Sequence, residues 1–249
     1  MKQPWPQLLC LDLDDTILAF TDSAEPCWQR ICVKYASRIE GLTAEALLVA
    51  INEVRAWYWA DPERHRRGRL NLIGARREIV AEAFSRLQGD VPEWTNDMAD
   101  SYTTEREEIV QPFLGAIEAL SQLRHQSKHL ALITNGQSEN QRRKINRFNL
   151  APFFDYILIE GELGIGKPDE RVYHHILKQF EVAAASAWMV GDNLEWDVAA
   201  PQRVGMQGIW LDYAGVGLPA SSGTRPDQII RHLLGLIPSV TCDVMNSPR

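Results

Sequence analysis

The sequence predicts an α/β fold, in which a parallel sheet is covered by helices and a helical module is inserted after the first strand. Short apolar runs alternate with helical patterns from residue 129 to residue 212, as is typical of a parallel sheet with crossover helices. The runs are continuously apolar and do not alternate with polar residues. Strands that are buried on both faces have this pattern.

Five apolar runs predict the strands of the sheet. The first is LLCLDL (8–13), and the others are HLALIT (129–134), DYILIE (155–160), AWMVGD (187–192) and QGIWLD (207–212). Between and before these runs, the spacing of apolar residues predicts helices over 114–126, 137–149, 170–181 and 195–204. One more helix is predicted near 226–236, and the last dozen residues are expected to fray.

The segment from residue 20 to residue 110 has a different character, because it lacks convincing strands. The stretches 46–59, 71–87 and 94–109 have spacings compatible with helices. Pro62, Gly68, Gly89 and Pro92 separate these stretches. We therefore predict two modules: an α/β catalytic core formed by residues 1–19 and 111–249, and a helical cap formed by residues 20–110.

Composition narrows the class of protein. The chain has 249 residues, of which 45% are hydrophobic and 24% are charged, as in ordinary globular proteins. The net charge of -7 argues against nucleic acid as a partner, since phosphate neutralisation needs clustered Lys and Arg. The N-terminal apolar run is broken by Asp12, which fits neither a signal peptide nor a membrane span.

The cysteines predict a reduced protein. Cys10, Cys27, Cys32 and Cys242 include no Cys-x-x-Cys pair, so they suggest neither a zinc site nor a disulfide framework. Cys10 lies in the first apolar run and is expected to be a buried thiol. We expect a cytoplasmic protein, with no membrane partner, that is a monomer or a weak homodimer.

Polar residues follow four of the predicted strands, at the point where each strand ends. In parallel sheets ligands bind beyond the carboxyl ends of the strands, so these residues are expected to converge. They are Asp12, Asp14, Asp15 and Thr16 at the end of the first strand, Thr134, Asn135 and Gly136 at the end of the second, Lys167 in the loop after the third, and Asp192 at the end of the fourth with Asp197 just beyond it.

The carboxylates in this set predict a metal site. Several carboxylates held close together resist joint ionisation, and a hard divalent cation removes the repulsion. Carboxylate and carbonyl oxygens suit Mg²⁺, and Asp12 and Asp192 are the natural side-chain ligands. A calcium-binding EF-hand loop is excluded, because the sixth position from Asp12 is not Gly and the twelfth is Ser23.

The remaining polar residues suit a phosphoryl group. Lys167 supplies positive charge and Thr134 a hydroxyl donor, while Asn135 and Gly136 offer backbone N–H groups at a helix start. An aspartate can attack phosphorus and form an aspartyl-phosphate. A second carboxylate two residues further along the chain can protonate the leaving oxygen and then deprotonate a water molecule.

At these residues the sequence resembles the haloacid dehalogenase-like (HAD) hydrolases. The family's four motifs occur in order: Asp-x-Asp-x-Thr at 12–16, a strand-terminal Thr in ITNG (133–136), Lys167 in GIGKPDERVY (164–173), and an acidic pair in VGDNLEWD (190–197). The resemblance covers about 8–20 and 112–212 and implies a Rossmann-like core. The insert resembles the family's C1-type cap, as in the flavin-mononucleotide and riboflavin-pathway phosphatases and N-acylneuraminate 9-phosphatase.

The resemblance implies a role for each matching residue. Asp12 would be the nucleophile and a Mg²⁺ ligand, and Asp14 the general acid/base, with its backbone carbonyl on the metal. Thr134 and the Asn135 backbone would hold the phosphoryl oxygens, while Lys167 would steady Asp12. Asp192 would bind the metal directly, and Asp197 would act mainly in the outer shell. Because the dehalogenating members lack an acid at the position of Asp14, the implied activity is Mg²⁺-dependent hydrolysis of a small phosphorylated metabolite.

Several alternatives stay open at this point. A phosphosugar mutase of the same family would use the same residues but return the phosphoryl group to the sugar. A phospho-accepting signalling domain has a similar acidic pocket, although its phosphorylated Asp lies on a later strand. A catalytically idle binding relative is a further alternative. Asp197 alone could be a first-turn acid favoured by the helix dipole.

The predicted cap is rich in arginine. One functional interpretation is a basic, aromatic surface that holds an anionic or ring-bearing leaving group. The alternative is a solvated helical face with aromatic packing between cap and core. The residues concerned are Arg55, Arg64, Arg66, Arg67, Arg69, Arg76 and Arg77, together with His65, Trp57, Tyr58 and Trp59.

Overall fold

A computed structural model of the chain describes residues 5–237, so Cys242 and the expected fraying of the last dozen residues lie outside the described part. Six parallel strands form one sheet in the order β3-β2-β1-β4-β5-β6. The predicted α/β fold class is therefore confirmed. The strands are β1 (Leu8–Leu11), β2 (His129–Thr134), β3 (Tyr156–Ile159), β4 (Ala187–Gly191), β5 (Gln207–Leu211) and β6 (Gln228–Ile230).

The first strand lies in the middle of the sheet, and this position fixes the location of the site. Leu11 is in register with Leu132 of β2 on one side and with Val190 of β4 on the other. The Asp12 N–H extends this ladder by donating to the Val190 carbonyl at 3.0 Å. The strand order reverses between β1 and β4, and such a switch point is where open α/β sheets bind ligands.

The two faces of the sheet explain why β1 is apolar throughout. Leu9 and Leu11 belong to one buried cluster, together with residues of the helix Ala116–Gln126. Leu8 and Cys10 belong to a second buried cluster on the other face. Successive side chains of a strand point to opposite faces, so burial of both faces requires an unbroken apolar run. Cys10 is a free, buried thiol, as expected.

Five helices form the insert between β1 and β2, and they have a buried cluster of their own that includes Trp28, Tyr58, Phe84 and Tyr102. The predicted helical stretches correspond to α2, α4 and α5, whereas α1 and α3 were not predicted. The helices are α1 (Ala24–Ala36), α2 (Ala44–Ala60), α3 (Pro62–Leu70), α4 (Leu72–Gln88) and α5 (Thr95–Ile109).

The residues that were interpreted as breaks near α3 are part of that helix. Pro62 is its first residue, where a missing N–H costs nothing, and the Asp61 side chain accepts the Arg64 N–H at 2.8 Å. Gly68 lies inside the helix, where an added Cβ would come within 2.8 Å of Tyr58 Cε1. Gly68 therefore allows α3 to pack closely against α2.

The remaining helices follow the predicted positions, except for one short helix after β3 that was not predicted. After the insert come α6 (Ala116–Gln126), α7 (Ser138–Arg147), α8 (Glu160–Leu163), α9 (Glu170–Phe180) and α10 (Ala200–Val204), with a π-helix over Leu194–Ala199 leading into α10. None of the helices described within residues 5–237 has the length and apolar composition that a membrane span requires.

The helix predicted near 226–236 is wrong. The chain forms β6 there, which pairs in parallel with β5, and then a short 3₁₀ helix over Leu233–Leu236. The Asp212 N–H donates to the Ile230 carbonyl at 2.8 Å and extends this pairing. Local apolar spacing could not reveal β6, because the strand has only three residues and two of them are exposed.

Candidate active site

A buried lysine links two aspartates at the carboxyl edge of the sheet. The Lys167 ammonium nitrogen lies 2.8 Å from Asp12 Oδ1 and 2.6 Å from Asp197 Oδ1. Lys167 is 1% exposed, Asp12 8% and Asp197 0%. The other oxygen of Asp12 has no hydrogen-bond donor within residues 5–237. The structure therefore brings these three predicted residues together and leaves one Asp12 oxygen available for chemistry.

Asp192 joins this group from the end of β4. One carboxylate oxygen each from Asp12, Asp192 and Asp197 lies within 4.8 Å of the others. These three carboxylates and the single Lys167 ammonium leave an excess of negative charge at the site. Burial raises the pKa of Asp12 to about 7, although Lys167 opposes this effect. Burial, followed by repulsion from Asp12 and Asp197, raises the pKa of Asp192 to about 8.

The lysine responds in the opposite sense. Burial alone would lower the pKa of Lys167, but the adjacent Asp12 and Asp197 carboxylates raise it overall. The ammonium is therefore a permanent charge at the site. The carboxylates are only partly compensated by it, and oxygen ligands with an uncompensated negative charge fit a hard divalent cation.

The local sequence explains how Asp197 reaches the strand end. Gly191 ends β4, and a Cβ at this position would collide with the Asp197 carboxylate. Asn193 caps the π-helix, because its side chain accepts the N–H groups of Glu195 and Trp196. The Asn193 N–H in turn donates to Asp197 Oδ2 at 3.1 Å. With Lys167 on the other oxygen, both Asp197 oxygens are engaged, which fits an outer position around a metal.

Asp14 lies apart from the three clustered carboxylates and is held by α7. The Lys144 ammonium lies 2.7 Å from its Oδ1 and 2.6 Å from its Oδ2. Gln141 Nε2 donates to Asp14 Oδ2 at 3.1 Å and to Thr134 Oγ1 at 2.6 Å. Gln141 therefore couples the predicted acid/base to the predicted phosphoryl-binding hydroxyl. The predicted metal contact of Asp14, through its backbone carbonyl, stays a prediction.

Asn135 connects the second and third motifs. Its side-chain amide donates to the Lys167 carbonyl at 2.7 Å, and its side-chain oxygen accepts the Lys167 N–H at 2.8 Å. This reciprocal pair holds the Lys167 loop against the end of β2. The predicted role of the Asn135 backbone in substrate binding stays a prediction.

Gly136 is used differently from the expectation. Its N–H donates to Glu160 Oε2 at 3.0 Å, so in this arrangement it is not free for a phosphoryl group. Glu160 is 3% exposed and forms a two-point ion pair with Arg69 of α3, with both N–O distances 2.7 Å. Gly136 thus belongs to a chain of contacts that joins the insert to the core.

Asp15 has a structural role in the turn that leads into the insert. Its backbone is left-handed, with φ of 58°. Its carboxylate accepts the N–H groups of Phe20 and Thr21 at 3.0 and 2.7 Å, and the Thr21 hydroxyl at 2.6 Å. The side chain therefore fixes the chain where it leaves the sheet.

Three residues at the site were not predicted from the sequence: Gln141, Lys144 and Glu160. Gln141 and Lys144 are three residues apart on α7, which is strongly polar, so only their contacts distinguish them from solvated neighbours. Glu160 directly follows β3. The rule that polar residues at strand ends mark the site could have found it.

The arginines of the insert divide into two groups. Arg66, Arg67 and Arg77 form exposed ion pairs with Glu63, Glu78 and Asp100, and Arg64 lies over the Trp57 ring. These residues follow the solvated-face interpretation. Arg55, Arg69 and Arg76 instead line a cavity whose walls all come from residues 20–106, together with His65 and Trp59.

Comparison with known proteins agrees with this geometry. The family model described as haloacid dehalogenase-like hydrolase matches residues 10–211. The phosphoserine phosphatase of Thermus thermophilus is 32% identical over 226 residues, which are 83% of this chain and 88% of that protein. The N-acylneuraminate-9-phosphatase of Rattus norvegicus is 26% identical over 221 residues, 87% of this chain and 81% of that protein.

A solved structure extends the comparison to the fold. A Bacillus subtilis protein described as a HAD-hydrolase, YfnB, bound to magnesium, superposes with a TM-score of 0.69 and 25% identity, over 94% of this chain and 97% of that chain. The sheet, its carboxyl-edge motifs and these similarities define a hydrolase. The chain belongs to the haloacid dehalogenase-like hydrolases, and its curated relatives are phosphatases, in agreement with the predicted enzyme class.

Proposed function

We propose that the protein is a Mg²⁺-dependent phosphomonoesterase that hydrolyses a small phosphorylated metabolite through an aspartyl-phosphate at Asp12. The observation that carries the proposal is the Asp12–Lys167–Asp197 contact at the switch point of the sheet, with Asp192 beside it. One Asp12 oxygen is held by the ammonium, so the other can face the substrate. The expected cytoplasmic location and oligomeric state stay predictions from the sequence.

In the first half-reaction, an Asp12 oxygen forms a bond to phosphorus while the ester P–O bond breaks. Asp14 transfers a proton to the departing alcohol oxygen. In the second half-reaction, water attacks the phosphorus of the aspartyl-phosphate, Asp14 takes the proton from that water, and the Asp12–phosphorus bond breaks to release phosphate. Gln141 orients both Asp14 and Thr134 for these steps.

Asp12 and Asp192 would hold Mg²⁺ directly. Asp197, whose two oxygens contact Lys167 and the Asn193 N–H, would act from an outer position. When bound, the cation supplies charge that neutralises the phosphoryl oxygens. The fit is supported by the three clustered carboxylates, which the single Lys167 ammonium compensates only in part. The magnesium-bound structural relative supports it independently. Lys167 steadies the Asp12 carboxylate and the transferring phosphoryl group.

The helical insert is proposed to act as a cap, formed by residues 20–110, that covers the site. Its buried cluster is separate from those on the sheet, and the Arg69–Glu160 pair joins it to the core beside the phosphoryl-binding loop. A cap in this position excludes bulk water during the reaction. The curated relatives act on different phosphomonoesters, so the residues that face the leaving group must select the substrate.

The test is phosphate release from a panel of phosphomonoesters, with Mg²⁺ and with EDTA. We expect turnover only with Mg²⁺ and a loss of at least about a thousandfold in Asp12→Asn. Asp22→Asn, in the nearby turn, is the matched control and should keep wild-type turnover. Product analysis separates hydrolysis from isomer formation by a mutase.

Two outcomes would overturn the proposal. Wild-type rates in a folded Asp12→Asn variant would show that another group attacks phosphorus. The absence of phosphate release from every ester, with Mg²⁺ present, would show that the protein is not a phosphomonoesterase.

A further inference from the structure

A cavity of about 300 Å³ lies between the insert and the chain segment that follows the first motif. Four arginines line it and no Asp or Glu does, within the described residues. Its wall also contains aromatic and apolar side chains, including Phe20, Trp59 and Tyr102. The arginines are Arg55, Arg69, Arg76 and Arg106.

Two of these arginines already have acidic partners. Arg69 pairs with Glu160 at 2.7 Å and Arg55 with Glu25 at 3.4 Å. Their charges are therefore compensated by the protein. The other two arginines are not compensated in this way.

Arg76 is the most unusual of the four. It is 5% exposed, yet it forms no hydrogen bond and no ion pair with any residue between 5 and 237. Its guanidinium lies 5.1 Å from the centre of the Tyr102 ring. Burial, together with the nearby Arg106, lowers the pKa of Arg76 to about 10. A buried cation without a partner costs folding free energy, so a compensating use is expected.

Arg106 lies beside it and is also incompletely bonded. It donates to the Phe20 carbonyl and to the Tyr102 hydroxyl, both at 3.0 Å. Its Nε is buried without a hydrogen-bond partner among the described residues. Glu107, the carboxylate that follows it, is taken by Arg143 at 2.7 Å. Two adjacent cations therefore face the cavity without a carboxylate between them.

A chain of shared residues connects this cavity with the candidate active site. A second cavity of about 440 Å³ shares Phe20, Arg76 and Arg106 with the first and also contacts Lys144. Lys144 binds both oxygens of Asp14, the proposed proton donor to the leaving oxygen. The leaving group must lie next to Asp14, so it extends from the strand edge toward these arginines.

We propose that Arg76 and Arg106 bind a second anionic group, carried by the leaving-group part of the substrate. The chemistry shared by such groups is a pair of charged oxygens, in a carboxylate or in a second phosphate. Charge-assisted hydrogen bonds from guanidinium to these groups are strong and directional. The proposal rests on the proposed function, because it names the class of phosphomonoester that the same site takes.

The test uses substrate pairs that differ in a single group. The first pair is 3-phosphoglycerate and glycerol 3-phosphate, which differ by a carboxylate. The second is the bisphosphate and the monophosphate of propane-1,3-diol, which differ by a phosphate. We expect kcat/KM to favour the anionic member of one pair by about tenfold to a hundredfold in the wild type, and the favoured pair identifies the source of the charge.

Arg76→Met should bring that ratio close to one. The matched control is Arg77→Met, the same change at the next residue of α4, where the arginine is exposed and paired with Asp100; the ratio should be unchanged. Because the buried cation has no partner in the described part of the chain, Arg76→Met should also keep or raise the melting temperature. A structural arginine would lower it, and that result would contradict the proposal.

Equal kcat/KM values within both pairs in the wild type, or a preference that survives Arg76→Met, would overturn this inference and leave the phosphatase assignment intact. If no ester is hydrolysed, calorimetric titration of 3-phosphoglycerate and of propane-1,3-diol bisphosphate in EDTA decides. Binding at least tenfold tighter to the wild type than to Arg76→Met would support the anion site without the proposed reaction. Equal or undetectable binding of both compounds would overturn the anion site as well.

Discussion

The carboxyl edge of the sheet and the arginine-lined cavity of the insert both bury charged side chains. The uncompensated charge is negative at the edge and positive in the cavity. At the edge, Lys167 lies between two aspartates, and a third carboxylate leaves an excess of negative charge. In the cavity, Arg76 and Arg106 lie near each other, and no Asp or Glu of the described residues lines the same wall. The difference shows which partner each region lacks: a cation at the edge and an anion in the cavity.

The two buried cations give the sharpest test of this comparison, because the same substitution should act on them differently. Lys167→Met removes the ammonium that, among residues 5–237, pairs with the buried Asp12 and Asp197 carboxylates. Breaking a buried pair in this way costs about 3–5 kcal/mol of unfolding free energy, whereas Arg76→Met should cost nothing. Urea denaturation at pH 8, where the carboxylates are most ionised, measures both. Equal losses in the two variants would remove the distinction between a paired and an unpaired cation.

The excess negative charge at the edge predicts a dependence of stability on pH in EDTA. The pKa values of Asp12 and Asp192 in the folded protein, about 7 and about 8, lie above that of an unfolded aspartate, about 4. The folded state therefore binds more protons than the unfolded state. The stabilising contribution is complete below about pH 4 and is lost as the pH rises through 7 to 8.

Melting temperatures between pH 5 and pH 8.5 measure this loss, and Mg²⁺ should restore stability most at the high end. Asp192→Asn removes one titrating group, so its melting temperature in EDTA should fall less steeply and respond less to Mg²⁺. A wild-type melting temperature that is independent of Mg²⁺ at pH 8 would contradict the expected cation site.

The contact between insert and core lies between the two regions and should have an intermediate effect. Arg69→Met leaves Glu160 buried with the Gly136 N–H as its one remaining partner among the described residues, so we expect a loss of about 1–3 kcal/mol. Arg66→Met, on the same helix, breaks only an exposed ion pair and should give no measurable change. Urea midpoints of the two variants compare them directly, and similar midpoints would show that the Arg69–Glu160 pair does not anchor the insert.

The smallest effect is expected at Gln141, which positions other groups. Gln141→Ala removes the hydrogen bonds to Asp14 and Thr134, and we expect about a tenfold decrease in kcat with little change in KM. Asn146→Ala, an exposed position on the same helix, is the control. A larger effect on KM than on kcat would indicate that Gln141 contacts the substrate and does not act through Asp14.

Most of the core could be predicted because its signals are local. The continuous apolar runs form β1 to β5. The polar residues at the ends of these strands predicted which side chains would form the candidate active site. β6 was missed because this edge strand has only three residues, two of them exposed, which is too short for an apolar run. In the insert, α3 was missed because Pro62 and Gly68 usually interrupt helices. In the structure Pro62 begins the helix, and Gly68 allows it to pack against Tyr58.

The sequence by itself determined the fold class, the family and the candidate residues at the strand edge, since motif order and strand ends are properties of the chain. Only the tertiary structure decided how the charges are compensated. Arg76 and Arg77 are adjacent residues of the same type. Arg76 is nevertheless buried without a partner among the described residues, whereas Arg77 is exposed and paired with Asp100. The burial and ion pairing of a charged side chain depend on contacts between residues that are distant in sequence. A local sequence pattern does not predict these contacts.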